Sequence, residues 1–156
     1  MNKQEAIQRI QETLDAELTA LIQMTAMSRD EATSGQSKPE NKYDTRALEA
    51  SYLAAGQGQR LEALRRLTSW YRTLDATHTF DRVAEGALVE MEPEDGPSQW
   101  LFIAPAGGTR VQCGAQHIQV VSLRSPLGRA LAGCEVDEGA TVQRPQGDLH
   151  VEIRSI

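Results

Sequence analysis

The stretch with the most chemical potential in this chain is Ser37-Lys38-Pro39-Glu40-Asn41-Lys42-Tyr43-Asp44. Glu40 and Asp44 are four residues apart, so on a helix they share a face. Two like charges at that spacing are mildly destabilising, and a cation between them offsets the repulsion. Magnesium takes oxygen ligands and keeps several of its waters, so carboxylates on an exposed segment suit it. Asp30 and Glu31 stand at the other end of the same polar run and can swing close. Lys38 and Lys42 work against a bound cation. With Arg29 and Arg46 they offer contacts to an anionic group such as a phosphate, or they are ordinary surface charges.

Each of these residues also has a plain structural reading. Ser37 and Glu40 fit a capping box, in which the two side chains tie off the free amides of a helix start. Against it, the residue before a proline resists helical angles, which would leave Lys38 as a poor cap. Capping and metal contact are compatible roles for Glu40. Asp44 alternatively lies on a solvated helix face, and Asp30 and Glu31 in a solvated loop. Tyr43 and Tyr52 read as packing residues.

Other reactive types give less. Cys113 and Cys134 form neither a disulfide framework nor a zinc spacing and read as small buried residues. His78, His117 and His150 are too far apart in sequence to suggest a metal set. Ser125 is followed by Pro126 and reads as a helix N-cap rather than a nucleophile.

Two kinds of element must position these residues. Residues 2–27 contain no Gly or Pro. Ile7, Leu14 and Leu21 fall seven apart, with Ile10, Leu18 and Met24 extending the stripe, which predicts a helix with a narrow apolar seam. Ser28–Pro39 reads as a loop. Helical signal returns at Pro39 or Glu40 and runs to Leu74, its apolar side given by Leu48, Tyr52 or Leu53, Leu61, Leu64, Leu67, Tyr71 and Leu74. Gly56 and Gly58 predict a weak point or slight bend, because each costs about 1 kcal/mol against Ala. Two helices joined by a short loop make an antiparallel hairpin. The second would be on the order of 50 Å long at 1.5 Å per residue, so the tip should project.

Beyond Leu74 the pattern changes. Short apolar or alternating blocks at Ala87–Met91, Gln99–Ala104, Ile118–Leu123, Thr141–Gln143 and Leu149–Ile153 are separated by turn residues and predict a small, mostly antiparallel sheet. One short helix interrupts it, from Ser125 to the stop at Gly133. The expected architecture is α+β, with a helical hairpin over 1–75 and a small β domain over 76–156.

Net charge is −6 and the pI is about 5.1. An acidic chain is ill suited to non-specific nucleic-acid binding, which needs Lys and Arg on phosphates. It suits a basic protein surface or a metal ion instead. No apolar run approaches the roughly 18 residues of a membrane span, and the polar start has no signal-peptide character. The expected location is the cytoplasm.

Val121-Ser122-Leu123-Arg124-Ser125-Pro126-Leu127-Gly128-Arg129-Ala130-Leu131-Ala132-Gly133-Cys134-Glu135-Val136 resembles the C-terminal signature of the GreA/GreB transcript-cleavage factors. There a strand leads into SP-x-x-RAL-x-G and then EV. Val142–Ile153 resembles that family's final hairpin, and Phe80–Val89, with Val83, Gly86 and Ala87, its opening strand. The resemblance implies an FKBP-like domain docked on bacterial RNA polymerase beside its secondary channel. It also implies a coiled-coil hairpin whose acidic tip enters the channel and helps hold a catalytic magnesium ion shared with the polymerase. The polymerase itself cuts the backtracked RNA; the factor is an accessory, touches the nascent 3′ end only indirectly, and reads no DNA sequence. Two cations about 4 Å apart would stabilise the attacking and leaving oxygens.

Carried residue by residue, the resemblance assigns Glu40 and Asn41 to the catalytic tip and Glu40 to the metal; Asp44, on the same helical face as Glu40, is the further acid expected to act with them. Ser37, Lys38, Lys42 and Tyr43 accompany them in the polymerase active site. The family tip usually reads Asp, two residues, Glu-Asn, then Glu-Tyr. Here Ser37 holds the position of the Asp, and Lys42-Tyr43 stands for Glu-Tyr one residue early. A lone carboxylate holds magnesium more weakly than a pair. Three functions are therefore expected to compete: a cleavage factor, a channel-occupying regulator that does not stimulate cleavage, and an interaction module like the related Rnk proteins. The long helical half counts against the third. Prolyl isomerase activity, which the fold alone might suggest, needs an aromatic-lined pocket, and this half offers only Phe80, Trp100 and Phe102.

Overall fold

Asn2 starts the first helix. Its side-chain oxygen accepts from the backbone N–H groups of Gln4 at 2.9 Å and Glu5 at 3.4 Å, satisfying amides that a helix start leaves without partners. The structure, a computed structural model, describes residues 1–33 and 45–156, with side chains described over 1–27 and 52–156. Helix α1 spans Lys3–Thr33, so Ser28–Thr33, expected as loop, is helical. The apolar stripe marks where packing is demanded, not where the helix ends. Arg29, Asp30, Glu31 and Ala32 include no breaker, and a nucleated helix adds such residues at little cost. Helix α2 spans Thr45–Arg72 and stops two residues short of the expected Leu74. The start expected at Pro39 or Glu40 lies outside the described residues.

The described chain divides into two units, Glu12–Arg72 on one hand and Met1–Gln11 with Thr73–Ile156 on the other. In the first, Arg72 meets Asp15 at 3.0 Å and Arg60 meets Glu17 at 2.9 Å. Both join the early part of α1 to the late part of α2, so the helices run antiparallel as a hairpin. These pairs are exposed and contribute at most about 1 kcal/mol each. The stability comes from the seam, where Leu14, Leu21, Leu64, Thr68 and Tyr71 are buried. The expected seam was longer. Met24, Tyr52 and Leu53 are 58%, 71% and 65% exposed, so Tyr52 is not a packing residue, and among the described residues the buried seam covers only the inner part; Leu48 lies outside the residues whose side chains are described.

The second unit carries six strands: β1 Leu88–Pro93, β2 Gln99–Ala104, β3 Arg110–Cys113, β4 Gln116–Ser122, β5 Gly139–Val142 and β6 Leu149–Ser155. Their order is β3-β4-β2-β1-β6-β5, antiparallel throughout except for the parallel pair of β2 and β4. Five of the strands fall on the expected blocks. The sixth, β3, was not expected, because four residues with only Val111 and Cys113 apolar give little signal. Gly114-Ala115 closes it onto β4 as a two-residue hairpin, pairing Cys113 with Gln116. Phe80–Ala87 is not the opening strand; the ladder begins at Leu88. Before it, Val83 instead exchanges backbone bonds with Gly133 and Cys134, which ties the entry of the unit to the exit of the short helix.

That helix, α3, spans Pro126–Leu131 and packs on one face of the sheet. Val89, Met91, Leu101, Ile103, Val121, Val151 and Ile153 form a core there with Leu131 and Cys134. Alternation sends Leu88, Phe102, Ile118 and Val120 to the opposite face, where they are also buried. The first turns of α1 lie against that face. Ala6, Ile7 and Ile10 are buried, and the charges of Glu5 and Arg9 reach Cys113. Lys3 completes the junction: its Nζ donates to the His78 carbonyl at 2.7 Å and lies 4.5 Å from the centre of the Phe80 ring. Partial burial holds its pKa below the usual lysine range, and the nearby Asp75 carboxylate partly restores it.

Gly128 has no room for a side chain. A Cβ there would stand 2.1 Å from the Ser122 carbonyl oxygen, a backbone atom fixed by the end of β4. Gly128→Ala is expected to lower the denaturant midpoint of the β unit, at a cost of roughly 3 kcal/mol, the upper range for overpacking. A second expectation concerns alkaline pH. Burial pushes the Tyr71 phenol well above its usual range. Below about pH 10 it is neutral folded or unfolded; above that only the unfolded chain ionises. Hairpin stability should therefore fall as pH rises past about 10. Thermal melts at pH 9 and 11 should show a loss of roughly 2–4 °C that Tyr71→Phe removes.

Candidate functional site

The residues singled out for chemistry, Ser37, Lys38, Glu40, Asn41, Lys42, Tyr43 and Asp44, lie outside the described residues. Asp30 and Glu31 sit in the last turns of α1 rather than in a loop. The structure supplies the support for this segment: two antiparallel helices, one leading into residues 34–44 and the other leading out.

In the β unit, the residues of the Ser-Pro signature are placed by local chemistry. Ser125 has extended backbone angles and its Oγ accepts from the Gly128 N–H at 3.0 Å. The same hydroxyl donates to the Ser122 carbonyl at 2.7 Å. Its proton and its capping lone pair are both engaged, which suits a helix cap and not a nucleophile. Gly133 ends the helix region with φ at +79°, a conformation that favours glycine.

Beside this cap lies an open groove of about 590 Å³. Pro126 and Leu127 of α3 form one side; Val142, Arg144 and Leu149 of the β5–β6 hairpin form the other. Gln99 and Gln119 also line it. Arg144 is half-buried and 3.7 Å from Asp95. Its lining mixes apolar side chains with amide and hydroxyl groups. None of Phe80, Trp100 and Phe102 lines the groove, and Phe102 is fully buried. The aromatic pocket an isomerase requires is therefore not built there. Sequence reading did not single out Arg144 or Gln119. The signal available was Arg144 just before the Pro145–Asp148 turn and Gln119 interrupting an apolar strand.

Titration within the described residues follows burial more than any catalytic design. Cys113 and Cys134 are buried and free, and burial raises both thiols, so neither is a ready thiolate. Hydrogen bonds from the Thr77 hydroxyl and N–H hold the Asp75 carboxyl below its usual value. That is a local turn at the start of the β unit. No group of three or more His, Cys, Asp or Glu that could hold a metal occurs among the described residues. No described helix is long and apolar enough to cross a membrane.

The model of the GreA/GreB transcription elongation factor C-terminal domain matches residues 77–156, just over half of the chain. The chain is 50% identical over 36 residues to the transcription elongation factor GreA of Chlorobaculum parvum (strain DSM 263 / NCIMB 8327), a match that spans 23% of each protein. Among solved structures, Gfh1 of Thermus aquaticus is 18% identical over 92% of this chain and 91% of its own, with a TM-score of 0.38. A GreA/GreB factor from Nitrosomonas europaea is 17% identical over 59% and 77%, with a TM-score of 0.36. The domain match takes in the Ser-Pro cap, the helix stop at Gly133 and the final hairpin, and by it the chain belongs to the GreA/GreB family of transcription elongation factors.

Proposed function

We propose that the chain binds bacterial RNA polymerase as an accessory factor and presents its hairpin tip in the secondary channel, where it promotes cleavage of backtracked RNA by the polymerase. One observation carries this reading: a GreA/GreB C-terminal domain is joined to an antiparallel hairpin whose connecting segment contains Glu40-Asn41. The groove beside Ser125 and Pro126 supports docking on a protein surface.

The donor set at the tip fits magnesium by type. Glu40 and Asp44 offer carboxylate oxygens and Asn41 a carbonyl oxygen, the hard donors this ion takes. They are too few to complete its coordination, so they suit an ion shared with the polymerase rather than a resident one. When bound, that ion polarises the scissile phosphate and activates a water. Glu40 would contribute charge to it, and Asn41 would help orient the water. Lys38 and Lys42 would weaken the ion and contact RNA phosphate. Ser37, standing where the family has an aspartate, favours a second reading in which the chain occupies the channel without stimulating cleavage.

A stalled, backtracked polymerase incubated with the protein and magnesium separates the readings. Under the first, short 3′ RNA fragments are released, Glu40→Ala lowers the rate at least roughly ten-fold, and Ser37→Asp raises it. Binding without fragments, with cleavage appearing only in Ser37→Asp, supports the second. No binding to polymerase would sink both.

A further inference from the structure

The hairpin seam can be followed residue by residue. On α1 it runs through Leu14, Leu18, Leu21 and Thr25; on α2, in the opposite direction, through Tyr71, Thr68, Leu64, Leu61, Gln57 and Leu53. These positions are three or four apart throughout, so all stay on the facing sides. The inner positions are closed: Leu14 and Tyr71 are each 1% exposed. At the next level outward the chemistry changes. Thr25 donates its hydroxyl to the Leu21 carbonyl at 2.8 Å, within its own helix, a bond that weakens and bends helices. Gln57 stands in the seam of the other helix. Leu53 keeps the period yet is largely exposed, as are its neighbour Tyr52 and, on α1, Met24 and Met27.

Two glycines sit at the same level, and they serve no packing purpose. A Cβ at Gly56 or at Gly58 would meet nothing within 4 Å, and neither has a positive φ. Nothing approaches the backbone there, so each position accepts alanine and loses helix stability by lacking it.

We infer that among the described residues the seam ends at Thr25 and Gln57, and that the stretch of α2 around and beyond that end, Tyr52–Gly58, opens by local unfolding while the root from Leu61 to Tyr71 stays folded. The polar pair removes the apolar contact that would couple the two levels. The glycines remove the intrinsic helix preference that would hold the outer level without it. A hairpin built this way has a stiff root and a yielding outer part. The inference concerns the free protein and does not depend on the polymerase reading.

Amide hydrogen exchange of the intact chain tests it. Amides of residues 52–58 should exchange through an opening that leaves residues 61–71 protected. The double variant Gly56→Ala, Gly58→Ala should slow exchange in the outer window by roughly twenty-five-fold, about five-fold per glycine, and change the root by less than about two-fold. Sealing the seam with Thr25→Leu and Gln57→Leu should give the same window-limited slowing by a different route. Equal protection in both windows of the parent, or slowing shared equally between them in either variant, would show a hairpin that opens only as a whole. No slowing at 52–58 in either variant would equally overturn the inference.

Discussion

The constraint on which the rest depends is that one unbroken helix, α1, serves two cores. Its first turns bury Ala6, Ile7 and Ile10 in the β unit; from Glu12 onward the same helix buries Leu14 and Leu21 against α2. The seven-residue spacing of Ile7, Leu14 and Leu21 therefore spans a change of partner without a change of period. Covering the second sheet face with a helix start means that the sheet, buried on both faces, needs no second helix of its own. The cap at Asn2 and the Lys3 contacts to His78 and Phe80 hold the end where that dual role begins.

Within the β unit, the corresponding economy is the turn from β4 into α3. Ser122 ends the strand, its carbonyl accepts from both the N–H and the hydroxyl of Ser125, and the Ser125 oxygen in turn caps α3 at Gly128. Gly128 must be glycine because this turn brings the helix backbone onto the strand end. The groove opens directly beside it. The family signature thus records a steric solution first. Its connection to function is that the same turn sets where Pro126 and Leu127 face the groove.

Legibility in the sequence followed how local the cause is. The α3 segment could be read completely, because Ser125, Pro126 and Gly133 each act within a few residues. Strand β3 could not, since Arg110–Cys113 is held by pairing with β4 rather than by its own composition. Met24, Tyr52 and Leu53 misled for a related reason. Periodicity shows which residues are able to pack, whereas burial depends on what stands opposite, which the period of one helix does not reveal. Ser28–Thr33 misled in the other direction, since loss of the apolar stripe was taken for loss of the helix. At the candidate site only residue types can be read, because the roles proposed for Glu40 and Asp44 depend on an ion and a partner that this chain does not encode.

Those two levels of the hairpin bear on how a single acid could act. On the proposed reading, a tip with Ser37 in place of one of two carboxylates has less charge with which to hold an ion, and so relies more on where Glu40 is placed. Placement can come from a rigid support or from one that adjusts until the partner fixes it. A buried seam at Leu14, Leu64 and Tyr71 gives the root its rigidity, while Gly56 and Gly58 forgo helix stability that alanine would supply without steric conflict. Stability left out where nothing crowds the backbone is more consistent with an adjustable support than with a fixed one. On the proposed reading, the reduced charge of the tip and the inferred yielding of the outer seam work together: less is held in advance by electrostatics and more is settled on contact with the partner.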